Sequence, residues 1–149
     1  MSVRVGIISD THNVLRPEVL EVLEGCDYIL HAGDITEEKI LDQIRFMGRL
    51  YVVRGNCDRS WAHKLEKKQI FRIEGLNFLM VHNQMNAGRD VENADVIIFG
   101  HTHRYHEEIR DGKLWLNPGS CGMSRFGGSR SMAVMTVDCR DYKVEMITI

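Results

Sequence analysis

The feature that most constrains this chain is a repeated layout. A short apolar run ends, again and again, in a polar residue able to bind a metal ion. Val5-Gly6-Ile7-Ile8 leads to Asp10 and His12, Tyr28-Ile29-Leu30 to Asp34, and Tyr51-Val52-Val53 to Asn56. Phe78-Leu79-Met80-Val81 leads to His82, and Val96-Ile97-Ile98-Phe99 to Gly100-His101-Thr102-His103. Runs this short and continuous read as strands buried on both faces, the parallel kind. In open α/β sheets, ligands collect at the carboxyl ends of such strands. The five ends are therefore expected to converge on one metal centre.

The stretches between the runs fit that frame. Arg16 to Glu24 has helical spacing, with Pro17 in the first turn and Gly25 as the stop. Glu37 to Met47 is a second helix, with Thr36 as its expected N-cap and Gly48 beyond its end. The second half is richer in strands. Gln69 to Ile73 and Asn77 to His82 form a hairpin around Gly75, and Ala87 to Asn93 holds one helical segment. Tyr105 to Arg110 and Lys113 to Asn117 flank Asp111-Gly112, a type I′ turn signal. Met132 to Val137 and Tyr142 to Ile149 make a last hairpin, and Gly119 to Ser131 is a glycine-rich loop. The expectation is one α/β domain over residues 1–149, with a second, more antiparallel sheet packed on the first.

Composition narrows the function classes. A net charge of -2 argues against a stable nucleic-acid complex. No apolar run approaches the roughly 20 residues of a membrane span, and the N-terminal stretch lacks a signal-peptide layout. A cytoplasmic protein without membrane attachment is expected, and a homo-oligomer is compatible with the sequence. Cys26, Cys57, Cys121 and Cys139 form no CxxC pair, so they are read as free thiols.

The candidate ligands Asp10, His12, Asp34, Asn56, His82, His101 and His103 offer oxygen and imidazole donors without thiolate. That mix suits borderline or hard divalent ions such as Mn²⁺, Fe²⁺, Zn²⁺ or Ni²⁺; the cofactor expected is two divalent ions, Mn²⁺ first, with Ni²⁺, Zn²⁺, Fe²⁺ or Mg²⁺ as alternatives. Seven ligands exceed the needs of one ion with an open position, so two ions sharing a carboxylate fit better. Two carboxylates against two divalent ions leave excess positive charge, which would attract an anionic phosphate ester.

Asp10-x-His12, Gly33-Asp34, Gly55-Asn56-x-Asp58, His82 and Gly100-His101-x-His103, in this order, resemble the signature of the calcineurin-like metallophosphoesterases. Gly55-Asn56-Cys57-Asp58 and Asn117-Pro118-Gly119-Ser120 resemble the small bacterial and archaeal phosphodiesterase branch. The resemblance covers nearly the whole chain. It implies a four-layer αββα sandwich with two mixed β-sheets. It further implies that Asp10, His12 and His103 hold one ion and Asn56, His82 and His101 the other. Asp34 would bridge them, and a hydroxide between the ions would attack phosphorus in line.

By the same resemblance, Asp34, Asn56, Asp58 and His82 are candidate catalytic residues, and Cys57 and Arg125 candidate substrate contacts. Three positions depart from the family pattern. Cys57 stands where many members have His, Asn83-Gln84 where relatives often have Gly and His, and Ser124 where relatives often place Pro before Arg125. Asn83 is expected to tolerate the left-handed backbone that Gly would supply. Asp58 either bonds to a ligand from behind or simply fixes its loop. Cys57 either touches substrate or is a tolerated small residue, and Arg125 either meets a phosphate oxygen or is solvated. His31 is read as a core residue or a ligand's neighbour. Lys64, Lys67 and Lys68 are read as a solvated face, and Trp61 and Trp115 as packing residues.

The activity expected is metal-dependent hydrolysis of a small phosphodiester or nucleotide-like substrate in an open site. The alternatives are a phosphomonoesterase and a non-catalytic scaffold resembling the retromer subunit of this fold.

Overall fold

A computed structural model of the chain describes residues 2–122 and 128–149. The first sheet contains β1 (Val3–Ile8), β2 (Tyr28–His31), β3 (Arg49–Val52), β9 (Ser131–Asp138) and β10 (Asp141–Thr148), in the order β10-β9-β1-β2-β3. The second contains β4 (Lys68–Ile73), β5 (Leu76–Val81), β6 (Val96–Ile98), β7 (Tyr105–Arg110) and β8 (Lys113–Pro118), in the order β4-β5-β6-β8-β7. Each sheet has a parallel trio flanked by antiparallel strands. β1, β2 and β3 run parallel in one, and β5, β6 and β8 in the other.

The strands explain why their apolar runs are continuous. Side chains alternate between faces, and in β1 both faces are covered. Val5 and Ile7 point into the core between the sheets, where they join Phe78, Met80, Val96 and Ile98. Ile8 points the other way, into a cluster with Val19 and Leu23 of α1 (Pro17–Leu23) and Ile40, Leu41 and Ile44 of α2 (Glu38–Ile44). At Gly6 an added Cβ would lie 2.6 Å from Leu23 Cδ2, so the missing side chain lets α1 lie close to β1. Beyond the second sheet, Leu79, Ile97, Phe99 and Trp115 pack with Ala87 and Ala94 beside the 3₁₀ segments Gln84–Asn86 and Gly88–Asn93. The αββα layering holds, with 3₁₀ turns forming the described part of the outer layer on this side. Among the described residues, no helix is long and apolar enough to cross a membrane.

Three local expectations are corrected. Thr36 does not cap α2. It sits at φ 74°, and the cap position falls on Glu37, which makes no side-chain cap bond. Thr36 is instead held by its backbone N–H, which donates to Asp58 Oδ1 at 2.8 Å. Asn83 is extended, at φ -111° and ψ 125°, so no left-handed residue follows His82. Its side chain accepts the Met85 N–H and starts a 3₁₀ turn. The segment after Ala87 is 3₁₀ rather than α-helical. Asp111-Gly112 does turn with both φ values positive, at 53° and 76°. So do Cys139 and Arg140, at 48° and 75°, without a glycine.

Candidate metal centre

All six parallel strands deliver their carboxyl ends to one place. The chain turns sharply there because successive residues adopt left-handed backbone. Asp10 (φ 55°), His12 (φ 45°), Asp34 (φ 60°), His101 (φ 75°) and His103 (φ 63°) all do so without being glycine. Each such residue costs about 1–3 kcal/mol and persists only where surrounding structure over-determines it. Burial of Ile7, Phe78 and their neighbours, at roughly 1.5–3 kcal/mol per side chain, supplies that constraint. The strain marks the donors themselves, since five of the predicted ligands carry it. Glycines fill the tightest spaces between them. A Cβ on Gly100 would run into Ser9 Oγ and lie 2.8 Å from Asp10 Oδ2, and one on Gly55 would strike Asp34 Oδ1.

The donors fall into two groups joined by Asp34. Ligand atoms of Asp10, His12, Asp34 and His103 all lie within 4.8 Å of one another. His103 Nε2 is 3.1 Å from His12 Nε2 and 3.2 Å from Asp10 Oδ1, and His12 Nε2 is 3.7 Å from Asp34 Oδ2. On the other side, His82 Nε2 is 3.2 Å from the same Asp34 Oδ2. The His82 and His101 rings stand 5.2 Å apart, and His101 Nδ1 is 3.3 Å from Asn56 Oδ1. His101 and His103 thus face different groups from one turn.

The donor set fits a divalent cation. Asp10 Oδ1, His82 Nε2 and His103 Nδ1 are buried without a hydrogen-bond partner among the described residues, an arrangement native proteins rarely leave unexplained. His82 Nδ1 donates to the Ala32 carbonyl at 2.7 Å, which leaves Nε2 with a lone pair directed into the cluster. The approach of His82 Nε2 to Asp34 has ion-pair distance but not hydrogen-bond geometry.

Electrostatics agree. Burial pushes the pKa of Asp10 up, but contacts from His103 and His12, the charge of His82 and the Ser9 hydroxyl outweigh it and hold Asp10 well below the usual range. Burial likewise opposes ionisation of Asp34, and His82 and the Cys57 N–H overcome it. Burial pulls His82 down, yet Asp34 and Asp10 raise it above its ordinary value. Both carboxylates are therefore anionic at neutral pH, and their charge is what raises His82.

A surrounding layer fixes the ligands. Asp58 accepts four backbone N–H groups: those of Asp34 (3.1 Å), Ile35 (2.8 Å), Thr36 (2.8 Å) and Gly55 (2.8 Å). Both of its oxygens serve the loops that carry Asp34 and Asn56. Cys57 donates its backbone N–H to Asp34 Oδ1 at 2.8 Å, leaving Oδ2 for the two groups. Burial, followed by the charge of Asp34, raises the Cys57 thiol pKa, so it is not primed as a nucleophile. His31 is fully buried between Thr11 Oγ1 and the Gly33 N–H, each at 3.1 Å, and burial drives its pKa down to about 3. It is a neutral support behind the Asp10 and Asp34 turns.

Sequence reasoning passed over several such supports. Asn117, at the end of β8, donates from Nδ2 to Gly100 O and Thr102 Oγ1, both at 3.0 Å, and so brackets the turn that carries both histidines. Ser9 donates to Asp10 Oδ2 at 2.6 Å, and Ser120 to the Asp10 carbonyl at 2.9 Å. Ser9 stands beside Asp10 in the sequence, and Asn117 and Ser120 belong to the Asn117-Pro118-Gly119-Ser120 stretch at the end of β8. Trp61 and Trp115 are packing residues, the first also donating from Nε1 to the Thr36 carbonyl. Arg125 and Ser124 lie outside the described residues.

Comparison with known proteins agrees with this geometry. The sequence profile of the Calcineurin-like phosphoesterase superfamily domain matches residues 3–140. A probable metallophosphoesterase of Methanothermobacter thermautotrophicus is 32% identical, with 96% of this chain and 91% of that protein covered. A phosphodiesterase of Methanocaldococcus jannaschii is 24% identical over 94% of this chain and 96% of its own. Among solved structures, Vps29 of Chaetomium thermophilum shares the fold with a TM-score of 0.81 at 18% identity, covering 99% of this chain and 97% of that one. On the extent of the profile match and of the first of these relatives, the chain belongs to the calcineurin-like phosphoesterase superfamily.

Proposed function

We propose that the chain is a phosphodiesterase that works with two divalent ions, Mn²⁺ being the first choice. The observation that carries this reading is the pair of donor groups meeting at Asp34 Oδ2, with buried Asp10 Oδ1 and His82 Nε2 lacking a hydrogen-bond partner among the described residues. Asp10, His12 and His103 would hold one ion, Asn56, His82 and His101 the other, and Asp34 both. Bound ions supply hydroxide from water near neutral pH and neutralise charge developing on the phosphoryl group.

The chain's own contribution is orientation. The Ala32 carbonyl fixes the His82 tautomer, and the Cys57 N–H fixes which Asp34 oxygen faces inward. Asp58 positions the Asp34 and Asn56 loops and touches no substrate itself in this reading. Asn56 and His101 border an open groove, into which one arm of a diester would extend. An open groove suits diesters better than an enclosed monoester pocket would. The name of the Methanocaldococcus jannaschii relative supports a diester as substrate.

The test is hydrolysis of aryl phosphodiesters and monoesters by protein reconstituted separately with Mn²⁺, Ni²⁺, Zn²⁺ and Mg²⁺, with metal content measured alongside. Diester rates above monoester rates are expected. Faster monoester cleavage would make this a phosphomonoesterase. The likeness to Vps29 favours a second reading, a binding scaffold without turnover. Bound metal without hydrolysis of any ester would select it. Asp34→Asn should lose both metal content and activity, and survival of both would remove Asp34 from its bridging role.

A further inference from the structure

A groove of about 410 Å³ opens beside His82 and His101. Arg54, from the residues after β3, Lys67, just before β4, and Lys68, its first residue, also line it. Read from sequence as a solvated face, Lys67 and Lys68 instead line this groove, whereas Lys64 pairs with Glu38 at 3.7 Å. Lys68 is partly neutralised by Asp90 at 2.9 Å, but Arg54 and Lys67 have no ion pair among the described residues. The remaining polar lining is also rich in donors. Asn83 spends its Oδ1 on the Met85 N–H, which leaves its amide N–H groups for the groove, and Asn86 stands beside it. Among the described residues no Phe, Tyr or Trp lines the space. A groove of positive charge and N–H donors, contiguous with the donor cluster, is complementary to a phosphate.

We propose that this groove is a subsite for a second, non-scissile phosphate, so that the preferred substrates are phosphodiesters with a further phosphate on one arm. The inference rests on the phosphodiesterase reading above. Arg54, half-buried, clamps that phosphate through its guanidinium, and the exposed Lys67 meets it as well. The chemistry recognised is the phosphate, whether its arm is a nucleoside or a sugar.

Two measurements test the subsite. The first compares kcat/KM of the Mn²⁺-loaded protein for a neutral-armed aryl diester with that for diesters bearing a phosphate on a nucleoside arm or on a sugar arm. Wild-type protein should prefer both phosphate-bearing substrates, and the Arg54→Gln, Lys67→Gln double variant should lower that preference about ten-fold. Equal losses on all three substrates would overturn the proposal. Preference for only the nucleoside-armed substrate would also overturn it, because the base would then be the recognised part. The second measurement titrates metal-free protein with inorganic pyrophosphate and follows backbone amide resonances. Shifts at Arg54, Lys67, Asn83 and Asn86 that the double variant abolishes are expected, and shifts absent from this groove would refute the subsite. If wild-type protein hydrolyses no diester, the function proposed above fails, while the pyrophosphate titration still decides the subsite.

Discussion

Asp58 offers the sharpest test of how this site is held. Its carboxylate accepts four backbone N–H groups, two on each oxygen, and three of them come from Asp34, Ile35 and Thr36. Asp34 and Thr36 sit in left-handed backbone at φ 60° and 74°, so their loop is strained and needs an external hold. Asp58→Asn removes one acceptor oxygen and puts an NH₂ donor against two N–H donors. Two charge-assisted bonds disappear, and such bonds contribute about 1.5–3 kcal/mol each. Because the site is half-buried, the lower end applies, and the expected loss is about 3 kcal/mol. Urea unfolding of metal-free protein measures this directly. The freed loop also lets Asp34 Oδ2 drift from its place between His12 and His82, so calorimetric Mn²⁺ affinity should fall at least ten-fold in the same variant. Stability within about 0.5 kcal/mol of wild type, the range of ordinary surface substitutions, would refute the argument that Asp58 holds the loop. Unchanged stability and metal affinity with a hundred-fold loss of turnover would place Asp58 in the chemistry instead.

Other expectations follow from the same geometry. Gly100→Ala forces a Cβ into Ser9 Oγ and toward Asp10 Oδ2, so it should lower stability by about 1–3 kcal/mol and reduce metal content; a neutral result by unfolding and metal analysis would contradict the close packing there. His103→Ala and His101→Ala should weaken different ions, because the two rings face different donor groups; competition titrations with a chelator would reveal equal loss of both ions in both variants if that division is wrong. His31 is buried neutral, with its pKa moved from 6.5 to about 3. Its contribution to stability is therefore present above pH 6.5 and lost as pH falls toward 3, with a limiting slope of about 1.4 kcal/mol per pH unit. His31→Gln should flatten that part of the stability curve of metal-free protein between pH 7 and 5; parallel curves for the two proteins would show that His31 does not titrate between folded and unfolded states.

Much of the architecture was legible because continuous apolar runs have few ways to be buried. Val5 to Ile8 had to be covered on both faces, and it is, by the second sheet and by α1 and α2. What the runs did not disclose was local and tertiary at once. Thr36 has an ordinary capping side chain, yet the carboxylate of Asp58, far along the chain, captures its N–H and displaces the cap to Glu37. Asn83 has the side chain of a left-handed residue, yet a local bond to the Met85 N–H holds it extended. In both cases a single hydrogen bond overrode a propensity worth less than about 1 kcal/mol.

The donor cluster was legible for a different reason. Periodicity located the strand ends, but it did not require Asp10, His12, Asp34, His101 and His103 to share left-handed backbone. A folding optimum would place glycine or asparagine at such positions, and Asn13, next to His12, is the one asparagine among the described residues with positive φ. Keeping Asp and His there costs stability at five residues on three turns that converge. That expenditure is offset by the sheet core, and Asp10 Oδ1 and His82 Nε2 are left without a hydrogen-bond partner among the described residues. The strain and the orphaned lone pairs are therefore one observation seen from two sides. The backbone is bent so that charged and lone-pair-bearing atoms face each other, an arrangement that a cation between them would stabilise further. Reconstitution should accordingly stabilise the protein: at 100 times Kd in free Mn²⁺, thermal unfolding should report about 2.7 kcal/mol for each occupied site. Substituting His12 and His82 together by Asn relieves part of the strain and removes donors from both groups. That variant should be as stable as wild type without metal and gain nothing from Mn²⁺; an undiminished Mn²⁺ response would mean that the ion binds elsewhere.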